Sequence, residues 1–205
     1  MAGKVFEKDK VGPWVRPIGN QSHAISEAEC LCSDKRGLRH LDIVTIEFSK
    51  AIPDAHQIEN HQIAPNAEWT KTHYFLVSYI DMLVDDPTSL WKNTSQSKNG
   101  KNDRVTADEI PKCGRSLYLV RPDEFAIVVD CPWEKNRVRG QFKYKGLEYN
   151  LAITDPFIED EYRVKALGSY SIDPVPMCVS LAEQNPRDGF YYKVVASLLI
   201  KGNHS

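Results

Sequence analysis

Residues 137–154 constrain the fold more than any other part of the chain. Two runs of alternating character flank Lys145-Gly146, a dipeptide that places glycine where a two-residue hairpin turn needs a positive φ. Centred on that turn, Tyr144 faces Leu147, Phe142 faces Tyr149, Gly140 faces Leu151 and Val138 faces Ile153. None of these pairs has a charged member, so this side of the hairpin belongs in a core. On the other side Arg137, Arg139, Gln141 and Lys143 meet Thr154, Ala152, Asn150 and Glu148, a polar surface with a basic excess. Lysine at the first turn position is less favourable than Asn or Asp, so the register is the firmer part of this reading.

The rest of the second half also reads as strands. Residues 116–121 and 124–130 are dense in Leu, Val, Ile, Tyr and Phe, and the turn dipeptide Pro122-Asp123 between them predicts a hairpin. Asp155 as cap and Pro156 at the first helical position predict a short acidic helix after the central hairpin. Residues 177–181 and 191–200 close the chain as strands, the last with Tyr192, Val194, Ala196, Leu198 and Ile200 on one face. A strand-rich half with one inserted helix suits a closed or partly closed antiparallel barrel over 116–200. In it Phe142, Tyr149, Leu151 and Ile153 are buried, and Arg137, Arg139 and Lys143 face solvent.

The first half is less regular. Trp14 to Ile18, bounded by Gly12-Pro13 and Gly19-Asn20, has strand character, and Ser26 can cap a short helix over 25–31. The apolar run 41–48 reads as one buried strand, against which the strand of Trp14 and Arg16 packs. Near Phe75 the period becomes helical, with Phe75, Leu76, Tyr79, Ile80 and Leu83 recurring on one side. Asp86-Pro87 offers another helix start, and the polar stretch 93–104 reads as a linker. The expected organisation is a first β domain over 1–72, a helical connector and polar linker over 73–112, and a second β domain over 113–205.

Composition narrows the function classes. A hydrophobic fraction of 41% supports a packed core, and a formal net charge of -2 means that any nucleic-acid contact must come from a local patch. Five cysteines at irregular positions make a poor disulfide framework, and no stretch has the apolar length of a signal peptide or membrane helix, so the expected location is cytoplasmic with no membrane partner. No nucleophile elbow, phosphate loop or dinucleotide fingerprint occurs, which leaves no catalytic residue to nominate. His56, Glu59 and His61 lack metalloprotease spacing and Cys30-Leu31-Cys32 lacks zinc-ribbon spacing, so neither a metal nor a cofactor is expected.

The binding candidates each have two readings. Trp14 is a surface on which a base can stack, and Arg16 is a fork of donors for phosphate; equally, Trp14 packs in a core and Arg16 pairs with an internal acid. Glu59 and Asn60 can read a base edge, although capping of backbone groups is the more ordinary role of such a pair. The strand face of Arg137, Arg139 and Lys143, with Asn150 across from it, is either a phosphate surface or plain edge protection. If the aromatics of that hairpin point inward, stacking must come from Trp14, Trp133 or exposed tyrosines. The acids Asp155, Glu159, Asp160 and Glu161 serve a metal-assisted phosphodiesterase or form the solvated face of a helix.

Gly12-Pro13-Trp14-Val15-Arg16-Pro17, Leu41-Asp42-Ile43-Val44, His56-Gln57-Ile58-Glu59-Asn60-His61 and the block from Phe142 to Pro156 occur in an order that resembles the dual OB-containing domain family of prokaryotes. The resemblance spans Gly3 to Ile200. It implies a mainly β (α+β) fold with two OB-like antiparallel barrels joined by a helical connector, the first lacking its opening strand. It further implies binding of nucleic acid, single-stranded by preference, or of a nucleotide-like ligand through Trp14, Arg16, Glu59, Asn60, Arg137, Arg139, Lys143, Asn150 and Asp155, in a sensor or adaptor of a prokaryotic defence system. A nuclease and a scaffold for a partner protein are the alternatives.

Overall fold

The computed structural model describes residues 1–19, 25, 29, 32, 37–132 and 135–200. The helix expected over 25–31 lies almost wholly outside the described residues, as does Trp133. By its internal contacts the chain forms two compact units, Met1–Leu83 and a second from Val84 onward.

The first unit carries β1 (Gly3–Glu7), β2 (Lys10–Ile18), β3 (Asp42–Thr45), β4 (Phe48–Ala51), β5 (Asn60–Ile63) and β6 (Thr70–Tyr74). They form two ladders: a sheet in the order β1-β2-β5-β4, with β2 and β5 parallel, and an antiparallel pair of β3 with β6. No closed barrel is formed among the described residues. The strand of Trp14 and Arg16 is flanked by β1 and β5, not by the run 41–48 as expected. The apolar run 41–48 is divided because the chain leaves strand geometry at Ile46-Glu47, which sends its two parts to different partners. Val44, Ile46 and Phe48 still supply one core, packing around Trp69, Ile63 and Cys32.

The helical period after Phe75 becomes a 3₁₀ segment, Val77–Leu83. At three residues per turn Leu76, Tyr79 and Met82 align, and this row is exposed at 58, 56 and 54% while Ile80 is buried. Of the α-helical face expected there, Phe75 and Ile80 are buried, whereas Leu76 and Tyr79 are exposed. Asp86-Pro87 starts no helix, because the Asp86 carboxylate pairs with Lys145 and the Pro87 carbonyl accepts from the Tyr144 hydroxyl.

The second unit carries β7 (Arg104–Val105), β8 (Leu117–Val120), β9 (Glu124–Asp130), β10 (Arg137–Tyr144), β11 (Leu147–Ile153), α1 (Pro156–Arg163), β12 (Gly168–Ile172), β13 (Met177–Gln184) and β14 (Tyr191–Leu198). β10 and β11 pair in the register read from the sequence, with Phe142 opposite Tyr149 and Gly140 opposite Leu151. Lys145 and Gly146 both have positive φ, 49° and 76°, as a type I′ turn requires. Asp155 caps α1 as expected, its Oδ1 accepting from the backbone N–H groups of Phe157 and Ile158.

β8 and β9 do not pair with each other, which corrects the hairpin expected around Pro122-Asp123. β8 pairs with β13 and β9 with β10, and the hydrogen-bonded path runs β12-β9-β10-β11-β14-β13-β8. With β8 and β9 taken as two arms of one bent strand, the order is first, second, third, fifth, fourth and back to first. The third and fifth (β11 and β14) are parallel, and a helix follows the third. This is the Greek-key order of a partly open five-stranded OB barrel. The path does not close by pairing of its ends, and the parallel pair makes the sheet mixed rather than antiparallel.

On β14 a bulge at Ala196 changes the expected face, since Cys178 pairs with Ser197 and Val179 with Val195. Lys193, Val195 and Leu198 point inward in consequence. The core stacks Phe125, Phe142 and Tyr149 at centroid distances of 5.9 and 5.1 Å. Gly140 leaves room for that stack, since a Cβ there would lie 3.0 Å from the Phe125 ring and crowd it. Phe142→Ala should lower the unfolding free energy by ~3–5 kcal/mol in a urea titration. A loss below ~1 kcal/mol would show that the stack does not hold this core together.

Candidate ligand-binding cleft

On the outer face of β10, β11 and β14 lies a cleft of about 570 Å³, walled by the loops before β7 and between β13 and β14. Its lining includes Lys98, Arg137, Arg139, Arg187 and Lys193, with Asp103 the one acid. A chain of net charge -2 thus gathers four cationic side chains, Lys98, Arg137, Arg139 and Arg187, around one concavity, while the Lys193 side chain turns inward. The cleft is suited to an anion.

The wall before β7 is the stretch read as a linker, and it is an integral part of the second unit. Lys101 and Asn150 exchange backbone hydrogen bonds of 3.3 and 3.0 Å, and the Asn150 side chain donates to the Asn99 carbonyl at 3.0 Å. Asp103 is buried, and its carboxylate accepts from the Ser97 N–H at 2.7 Å and the Ser97 hydroxyl at 2.6 Å. Gly100 packs directly over that carboxylate, and a Cβ there would lie 1.8 Å from Oδ2.

This loop is why Arg139, expected in solvent, is only 8% exposed. Its Nε donates to Asn150 Oδ1 at 2.9 Å, and its Nη2 donates to the Asn150 carbonyl and to Asp103 Oδ2, the latter at 3.5 Å. Burial lowers the guanidinium pKa, and the Asp103 charge opposes that shift. The alternation of the strand is kept, but its polar side is roofed. Arg137 forms a two-pronged pair with Asp130 at 3.0 and 2.8 Å, and Lys143 pairs with Glu124 at 3.2 Å. Lys98 and Arg187 are exposed and make no side-chain hydrogen bond or ion pair among the described residues.

Lys193 is 1% exposed. Its Nζ donates to the Lys92 carbonyl at 2.6 Å and to Asn93 Oδ1 at 2.7 Å and lies 5.7 Å from the centre of the Tyr149 ring. Burial lowers its pKa to about 7, against the raising influence of Asp103, Cys113 and Glu109.

The other residues named from the sequence lie elsewhere. In the first unit Arg16 Nη2 contacts Glu59 Oε1 at 3.3 Å, and the Asn60 amide donates to Gln57 Oε1 at 3.1 Å. Glu59 and Asn60 are buried, and Lys4 Nζ lies 5.3 Å from the centre of the half-buried Trp14 ring. In the second unit Asp155 is buried, its Oδ2 accepting from the Leu198 N–H at 3.1 Å, so both carboxylate oxygens serve backbone groups. Among the nine candidates only Arg137 and Arg139 line the cleft, with Asn150 holding Arg139. Lys98, Asp103, Arg187 and Lys193 were missed. The only signals for them were the cations of two Gly- and Asn-containing loops and a lysine inside the apolar run 191–200.

Among the described residues no group of three His, Cys, Asp or Glu side chains is placed to hold a metal, and no helix is long and apolar enough to cross a membrane. The mainly β chain, with an OB strand order in its second unit, has the construction of an OB-type binding module. It matches the family described as Dual OB-containing domain over residues 1–198 and belongs to that family. No curated protein and no solved structure matches it significantly.

Lys193 carries a pH dependence. Its folded pKa lies below its ordinary value of 10.5, so the unfolded chain binds more protons between about pH 7 and 10.5 and stability rises with pH across that window. The gain is complete above the unfolded pKa and lost as pH falls through about 7. Lys193→Met should remove this component. In urea titrations the stability of the unaltered chain relative to the variant should increase from about pH 6 to about pH 9, and a constant difference would refute the shift.

Proposed function

We propose that the chain is a non-enzymatic module that binds single-stranded nucleic acid, or a nucleotide-like ligand, in the cleft of its second unit. The observation that carries this reading is the cluster of four cations, Lys98, Arg137, Arg139 and Arg187, around a cleft on the outer β10–β11–β14 face. OB folds take oligonucleotides on the face of their second and third strands, between the loop joining the first two strands and the loop joining the last two. By strand order these are β10, β11 and the loop that carries Arg187. Lys98 and Arg187 supply uncommitted charge, and Tyr192 lines the same wall. A role as a sensor or adaptor in a prokaryotic defence system follows the family resemblance.

Arg137, Arg139 and Lys143 are each engaged within the fold, so replacing them would perturb structure as well as binding. Lys98→Ala with Arg187→Ala is the clean test. Affinity for a single-stranded oligonucleotide at low salt should fall about tenfold, and the slope of log affinity against log salt should flatten by about 1.4, roughly 0.7 for each lost phosphate contact. Absence of affinity of the unaltered chain for DNA or RNA, single- or double-stranded, would overturn the reading in favour of a protein-binding scaffold.

A further inference from the structure

Arg139 differs in kind from the cations on the rim of the cleft. Lys98 and Arg187 are exposed, whereas the Arg139 side chain is 9% exposed and fixed by the Asn150 side chain, the Asn150 carbonyl and Asp103. Its Nη1 makes no hydrogen bond among the described residues, while the residue lines the cleft. Asp103 neutralises it only in part, standing 3.5 Å away while the same carboxylate accepts two closer bonds from Ser97. A guanidinium already held in one orientation, with donors left over, is a preorganised anion receptor.

Depth decides which anion fits. An internal phosphodiester carries chain on both sides and a single negative charge, so it is held at the rim, where Lys98 and Arg187 stand. A terminal phosphate projects from its ligand, carries about -1.5 to -2 at neutral pH and offers three acceptor oxygens to a recessed donor. The partly uncompensated charge of a buried guanidinium gains most from such a dianion.

We propose that Arg139 is the receptor for a terminal phosphate, the monoester group of a nucleotide or of a nucleic-acid strand end, at the floor of the cleft. The assignment rests on reading the cleft as a nucleotide-binding site. Asn150 and Asp103 act as positioning residues, holding the guanidinium so that Nη1 faces the ligand. Lys98 and Arg187 steer the approach and contact the following phosphates.

The test titrates the full chain, at constant salt and about pH 7.5, with one single strand of about ten nucleotides carrying a phosphate or a hydroxyl at its 5′ or 3′ end, and with a nucleoside monophosphate against its nucleoside. Phosphorylated ligands should bind about tenfold more tightly. A preference seen with strands alone identifies a strand end, and one seen with the mononucleotide as well admits free nucleotides; both support the site. Arg139→Lys should erase the preference, because an ammonium cannot keep the forked contacts to Asn150 and Asp103. Ala152→Glu, opposite Arg139 in the β10–β11 register and lining the cleft, should erase it by setting a carboxylate against the guanidinium, which occupies its free donor and repels a phosphate. Thermal melts of each variant check the fold. Equal affinity of the unaltered chain for phosphorylated and unphosphorylated ligands would overturn the site and leave strand binding intact, as would a preference that survives in both variants. Arg139-dependent binding of the mononucleotide without strand binding would uphold the site and overturn the nucleic-acid reading.

Discussion

The second unit depends on the contact of Arg139 with Asp103 and Asn150. A guanidinium and a carboxylate out of water are tolerated only when paired and hydrogen-bonded, and removing one partner of such a pair costs ~3–5 kcal/mol. The pair links β10 to the loop before β7, and through the Asp103 carbonyl, which accepts from the Lys193 N–H at 2.8 Å, to β14. Its cost is offset by closeness of fit: Ser97 takes both carboxylate oxygens, and Gly100 leaves no room for anything else above them. The same contact turns an exposed strand face into the floor of a cleft.

A second set of polar bonds secures the segment just before that loop. The Tyr149 hydroxyl accepts from the Leu90 N–H at 3.2 Å and the Asn93 amide at 3.0 Å, and Lys193 donates to the Lys92 carbonyl and to Asn93. Burial raises the Tyr149 pKa as it lowers that of Lys193, so this interior disfavours charge on both groups. The wall of the cleft is therefore built before a ligand arrives. Binding to such a site loses little affinity to ordering of the protein.

Legibility in the sequence followed locality. The β10–β11 hairpin, its register and the Asp155 cap were readable because each is decided within about twenty residues, by alternation, a turn dipeptide or a cap and its helix. The pairing of β8 with β13 and β9 with β10 was not, because a bent strand shared by two partners looks in sequence like two strands of a hairpin. The run 41–48 failed in a similar way, serving one core while its two parts joined different ladders. Residues 93–104 look like a linker because their polar side chains make their bonds to distant strands, which composition does not reveal.

The sequence by itself determined that this is a mainly β chain with dual OB-domain ancestry, where the central hairpin turns, and which of its faces is apolar. Alternation and turn chemistry are local and carry that information. Tertiary structure alone decided that the polar face of the hairpin is roofed, that Arg139 is held while Lys98 and Arg187 are uncommitted, and that these cations share one cleft. A side chain's charge is written in the sequence, but its desolvation and its partner depend on segments tens of residues away that fold back over it.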